Sequence, residues 1–189
     1  MKETIANAFR YHIQVIESTL DSLFNEILSL YSAMVSCFEE GNKVLLMGNG
    51  GSATDAQHMA AELVGRFLRE RKGVPAIALT ADTSILTAVS NDYGYEQVFR
   101  RQIDALAKKN DLVIGISTSG QSLNVINALQ SARTIGCKSA GLLGKGGGKI
   151  ASLVDIPIVI PSNETPRIQE THITIIHILC ELLDEGIKI

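Results

Sequence analysis

Tryptophan is absent from this chain, and aromatic residues make up only 5% of it. That leaves little with which to stack unpaired bases. Neither sign of charge is in excess: 17 Lys and Arg face 20 Asp and Glu, for a net charge of −3. No electrostatic footprint for nucleic acid or for an anionic membrane surface follows from that balance. Cysteine is scarce and odd in number: Cys37, Cys137 and Cys180, scattered and without C-x-x-C spacing. A disulfide framework and a thiolate zinc site are both disfavoured, and reduced thiols in a cytosol fit better. The opening stretch "MKETIANAFR" has neither the apolar core nor the cleavage site of a signal peptide. No apolar run approaches the length of a membrane span. The expectation is a cytoplasmic protein that binds neither nucleic acid nor membrane.

What is present is an ordinary globular composition, 46% hydrophobic and 20% charged over 189 residues. The simplest organisation is one domain over residues 1–189, with helices over about 2–40 and an α/β core over about 43–189. Ile5, Ala8, Phe9, Ile13, Ile16 and Leu20 recur at helical spacing, and Leu23, Ile27, Leu30, Ala33 and Met34 carry the pattern on. The expectation is two helices, stopped by Gly41 and Asn42.

Beyond that point the period changes. "KVLLMG" (43–48), "AIALT" (76–80), "DLVIGIS" (111–117), "KSAGLLG" (138–144) and "DIPIVIP" (155–161) are short apolar runs. Continuous apolarity suits strands covered on both faces. Helical patterns separate them, over 52–71, about 83–107, 121–135, "GGKIASL" and 164–186. The alternation predicts an α/β fold: a five-stranded parallel sheet flanked by helices, with ligands outside the carboxyl ends of the strands. "GKGGGK" (144–149) reads as a loop.

Two strand ends share a design, "VLLMGNGGS" and "LVIGISTSGQS". The second places Ser117, Thr118, Ser119 and Ser122 around Gly120 at a helix start. Free N–H groups and the positive end of the helix dipole favour phosphate there. The pattern is neither a Walker loop nor G-x-G-x-x-G, so a small phosphomonoester is indicated rather than a nucleotide triphosphate or dinucleotide. The plain alternative is N-capping by Ser or Thr. "GNGGS" (48–52) is permissive in the same way, but taken alone it is a loop as often as a site.

On the helix that follows, His58 and Glu62 sit at i and i+4 on one face. That spacing suits a shared metal or a coupled acid–base pair. By itself it is more simply a surface hydrogen bond or weak ion pair. In the last helix Thr165 and Pro166 mark the start. Gln169 and His177, eight residues apart, fall broadly on one side. His172 among Ile and Leu reads as a satisfied core histidine. "SNDYGYE" (90–96) reads as a loop whose Asn91 and Asp92 suit sugar hydroxyls, or as a plain turn.

Together, "GNGGSATDAQHMAAELVGRF", "TSILTAVSNDYGYE", "GISTSGQS" and "RIQETHITIIHILCELL" resemble the sedoheptulose-7-phosphate isomerases, also called phosphoheptose isomerases, within the sugar-isomerase (SIS) domain group. The likeness runs in register through nearly the whole chain. It implies isomerisation of sedoheptulose 7-phosphate to D-glycero-D-manno-heptose 7-phosphate, the first step toward an ADP-heptose precursor. It also implies a homotetramer with sites between subunits and one Zn2+ per subunit. By resemblance, Glu62 and His177 move protons, and His58, Glu62, Gln169 and His177 hold zinc. Substrate contacts fall to Asn49, Gly50, Gly51, Ser52, Glu62, Asn91, Asp92, Ser117, Thr118, Ser119, Ser122 and Gln169. The chain departs from some relatives at Pro166, where they carry Asp, and no role of that Asp transfers. The rival readings are a non-catalytic SIS protein that binds the replication initiator, which has a small residue where this chain has Glu62, and another sugar-phosphate isomerase, for arabinose 5-phosphate or a hexulose phosphate.

Overall fold

A computed structural model describes residues 1–186. The first element, α1 (Lys2–Glu39), is one unbroken helix rather than the expected pair. Its sequence holds no Gly or Pro before Gly41, so nothing in it stops the backbone ladder. Gly41, with φ 75°, ends it. The C-terminal end of α1 buries Leu30, Ala33, Met34, Cys37 and Phe38, while the stretch over residues 5–24 leaves Ile5, Phe9, Ile13, Leu20 and Phe24 exposed.

Five strands follow among the described residues: β1 (Val44–Gly48), β2 (Ala76–Ala78), β3 (Leu112–Ser117), β4 (Lys138–Leu143) and β5 (Ile156–Val159). They pair in parallel in the order β2-β1-β3-β4-β5. Every residue of β1 and β3 is buried, as their continuous apolar runs require. Alternate residues feed two cores. Val44, Leu46, Leu112 and Ile114 pack against α1, α2 (Gly51–Val64) and α7 (Thr165–Gly186). Leu45, Met47 and Val113 pack against α4 (Val98–Leu106) and α5 (Leu123–Ile135). No helix of the described residues is long and apolar enough to cross a membrane.

Two helix boundaries differ from the sequence pattern. The pattern over 83–107 divides into α3 (Thr83–Tyr93), a 3-10 turn at Tyr95–Gln97, and α4. The break is at Gly94, whose φ of 91° is open to glycine and strained for other residues. Asn91 and Asp92, expected in a loop, therefore lie in the last turn of α3. Helix α2 stops at Val64 instead of 71, and the irregular segment after it is tied to α7. Asp184 accepts from the Leu68 and Arg69 amides at 2.7 and 2.8 Å and from Arg71 Nε at 2.7 Å. Burial alone would raise the Asp184 pKa, but these donors prevail and hold it below the usual carboxylate value. The glycine-rich stretch expected as a loop instead forms a 3-10 turn at Lys145–Gly147 and the start of a short helix, α6 (Gly148–Ala151).

Candidate active site

The chain leaves β1 toward β2 on one side, while β3 lies on the other, so the crevice at their carboxyl ends is the topological switch point. Both glycine- and serine-bearing turns open there. At the end of β1, a Cβ on Gly48 would overlap the backbone of Ser52, so the strand passes directly under the start of α2. At the end of β3, Gly120 has φ 62°, and a Cβ on it would overlap the carbonyl of Gly147. The amide of Ile150 donates to Gly120 O at 3.1 Å. The glycine-rich stretch expected to be a plain loop thus braces the serine turn from behind.

The serines do not behave as helix caps. Ser122 stands at the N-cap of α5 without a side-chain capping bond. Its Oγ lies 2.9 Å from Ser117 Oγ, which is 3.5 Å from Ser119 Oγ. The hydroxyls therefore cluster at the helix start without taking up the first-turn N–H groups of α5. They line a hollow of about 290 Å³ together with Asn49, Gly50, Gly51, Ser52, Thr118, Thr165 and Gln169.

Asn49 is held by contacts that local sequence did not disclose. Its amide pairs reciprocally with that of Asn124, Nδ2 to Oδ1 at 2.9 Å in both directions. Asn124, in the first turn of α5, is buried and also accepts from the Val125 amide at 3.0 Å. The Tyr95 hydroxyl reaches Asn49 Oδ1 at 3.0 Å. Asn91 and Asp92 do not line this hollow: they are exposed, and Asn91 Nδ2 donates to Asp92 Oδ1 at 2.8 Å.

A second hollow of about 300 Å³ adjoins the first, because Gly51 and Gln169 line both. A Cβ on Gly51 would overlap the Gln169 amide, so glycine is what lets α7 approach this closely. His58 and Asp55 of α2 line this second hollow. His58 Nε2 lies 3.2 Å from Glu62 Oε1 and 3.2 Å from His177 Nε2. Tertiary packing thus turns the i, i+4 pair into a three-residue cluster with one imidazole from α7. The Phe67 ring stacks on His177 with centroids 5.4 Å apart and steadies it. Asp55, one turn before His58, is pushed up to about 6 by burial, against the pull of His58.

These donors fit zinc in chemistry. Two Nε2 atoms facing each other share at most one proton, so a cation satisfies both better than a hydrogen bond does. Their 3.2 Å separation is close to the edge of a tetrahedron with bonds of about 2.0–2.1 Å, which is about 3.3 Å. As the side chains stand, no group of three or more His, Cys, Asp or Glu among the described residues already encloses a common metal position.

His172 is the core residue its neighbours suggest. It is fully buried, its Nε2 lies 3.1 Å from Leu143 O, and burial lowers its pKa to about 4. A carbonyl only accepts, so Nε2 carries the proton of the neutral ring. The thiols of Cys37, Cys137 and Cys180 are buried and raised to about 11, 11 and 12, chiefly by burial. They stay protonated and take no part in the site.

Residues 9–144 match the SIS domain family. The chain is 56% identical to the phosphoheptose isomerase of Geotalea daltonii over 98% of its own length and 96% of that protein. It is 54% identical to the phosphoheptose isomerase of Aliarcobacter butzleri over the full length of both. Among solved structures, phosphoheptose isomerase GmhA from Neisseria gonorrhoeae superposes with a TM-score of 0.93 at 40% identity, covering 97% of this chain and 98% of that one.

Proposed function

The chain belongs to the SIS domain family and, within it, to the phosphoheptose isomerases, and from that premise we propose that it converts sedoheptulose 7-phosphate to D-glycero-D-manno-heptose 7-phosphate. This would be the first step toward an ADP-heptose precursor. The observation that carries the reading is the shared wall: the hollow of the serine hydroxyls adjoins, through Gly51 and Gln169, a second hollow lined by His58, whose ring touches Glu62 and His177.

In this reading the phosphate sits on Ser117, Thr118, Ser119, Ser122 and the start of α5. Asn49, Gly50, Gly51 and Ser52 border the sugar chain, and Gln169 guides its reacting end toward α2. Anchoring one end of a flexible substrate makes the proton transfer effectively intramolecular. Glu62 takes the proton from the carbon beside the carbonyl and returns it to the neighbouring carbon, through an enediol. His177, held by Phe67 and His58, moves the proton on oxygen. Asn91 and Asp92 lie outside both hollows of a single chain, and no step is assigned to them.

Zinc belongs to the same proposal, one ion per subunit on His58, Glu62, Gln169 and His177. Bound there, it would polarise the carbonyl and stabilise charge on oxygen. Removing metal by chelation should lower activity, and adding zinc back should restore it. Full activity in metal-free protein would leave zinc without a role.

The exposed apolar stripe of Ile5, Phe9, Ile13, Leu20 and Phe24 on α1 supports a homotetramer with its sites between subunits. The protonated, buried thiols suit work in the cytoplasm. The direct test is incubation of the purified protein with sedoheptulose 7-phosphate. An aldose phosphate should accumulate, and its absence would overturn the assignment.

A further inference from the structure

The hydrogen bonds around Asn49 have a direction that can be worked out atom by atom. The Val125 amide can only donate, so the atom of Asn124 that faces it is oxygen. That orients the Asn124 amide, and the reciprocal pair then orients Asn49: its Nδ2 donates to Asn124 Oδ1, and its Oδ1 accepts from Asn124 Nδ2. Asn49 Oδ1 is thus an acceptor on its remaining side as well. The Tyr95 hydroxyl, 3.0 Å away, has no choice but to donate to it. Both lone-pair positions of Asn49 Oδ1 are then used, and one N–H of its Nδ2 remains free.

We propose that Tyr95 is a specificity residue that accepts a hydrogen bond from one hydroxyl of the sugar chain, while Asn49 beside it donates to an oxygen of the same substrate. With its proton committed to Asn49, the Tyr95 oxygen has only lone pairs to offer. Its partner must be a donor, which a sugar hydroxyl is and a phosphate dianion is not. Asn49 lines the hollow that holds the serine turn, so the Tyr95 hydroxyl, 3.0 Å from Asn49 Oδ1, lies one hydrogen bond away from that hollow. Tyr95 is carried by the 3-10 turn that Gly94 makes possible. The break in the helical pattern over 83–107 is therefore what delivers this hydroxyl to the site. The inference rests on the sugar-phosphate reading above and adds to it a residue that tells a polyol from a bare phosphate.

The test is Tyr95→Phe, with deoxy analogues of the heptulose phosphate as probes. Tyr95 is 55% exposed, and phenylalanine keeps the ring, so the fold is preserved; circular dichroism and the melting midpoint check this. The expected result is a rise of about three- to tenfold in KM for the full substrate, the equivalent of one neutral hydrogen bond. The penalty should disappear for one deoxy analogue, the one lacking the hydroxyl that Tyr95 reads. Inorganic phosphate should compete equally well against the variant and the unmodified protein. An unchanged KM, or a penalty equal for every analogue, would overturn the assignment to Tyr95 while leaving the isomerase reading intact. An unmodified protein that neither binds nor converts any heptulose phosphate would overturn both.

Discussion

The serine turn lines one hollow and His58 of the histidine–glutamate cluster lines another, with Gly51 and Gln169 as their common wall, yet turn and cluster are built in opposite ways. The turn is local: Ser117, Ser119 and Ser122 lie within six consecutive positions, and their geometry follows from a buried strand running into a helix. The cluster is assembled from two helices, and its two imidazoles are 119 positions apart in sequence. A local device binds by presenting backbone and hydroxyl donors in a fixed arc. An assembled device can place a proton acceptor against a substrate held elsewhere. The difference suggests that binding and chemistry in this molecule are separable by mutation.

The largest effect should come from the assembled half. Glu62→Gln keeps volume and hydrogen bonding but cannot take up the proton. Turnover should fall by about 10²- to 10⁴-fold, with substrate binding nearly unchanged. Bound zinc must be measured in the same samples, because loss of metal would mimic loss of the base. Retained turnover would reject Glu62 as the base.

The local half should respond in the other parameter. Ser119→Ala combined with Ser122→Ala removes two donors to a charged group, each a net contribution of about 1.5–3 kcal/mol, part of which water entering the vacated space restores. We expect KM to rise roughly tenfold to several hundredfold, with turnover at saturation much less affected. Gln130→Ala, on the exposed side of α5, is the control and should change neither. If the double variant lost turnover rather than affinity, the separation between the two halves would fail.

The same contrast extends to α1, whose C-terminal end is packed in the core while residues 5–24 present an open apolar stripe. Light scattering on the unmodified protein should give four times the chain mass. Phe9→Glu with Phe24→Glu should dissociate the assembly, since each buried ring is worth about 2 kcal/mol, roughly thirtyfold in association. A monomer mass for the unmodified protein at micromolar concentration would reject the tetramer.

The smallest effect concerns acid stability, where a core residue and a site residue oppose each other. His172 is lowered to about 4 in the folded state. The unfolded chain therefore binds more protons between pH about 6.5 and about 4, and stability falls as pH drops through that window. Asp55 is raised to about 6. Its contribution is fully present below about pH 4 and is lost as pH rises through about 6. The two slopes largely cancel in the unmodified protein. Asp55→Asn should unmask the His172 slope, about 1 kcal/mol per pH unit between pH 6 and 5, read as a falling urea midpoint. A curve parallel to that of the unmodified protein would show that the two groups do not titrate as described.

The sequence by itself determined the sheet, the serine turn and the face shared by His58 and Glu62. Strand runs, hydroxyl density and helical spacing are short-range properties that a chain displays along its own length. It misjudged α1, since a change in which side of a helix is covered looks like a change of helix. It passed over Asn124, whose partner lies 75 positions away, and Tyr95, which depends on the turn at Gly94. Helical spacing alone could not bring His177 to His58 and Glu62. Only the tertiary structure did that, by packing α7 against α2 through the gap that Gly51 leaves for Gln169 and so setting His177 against His58. The physical reason is range: propensity and periodicity act over a few residues, whereas a catalytic constellation depends on which helix faces the sheet buries side by side.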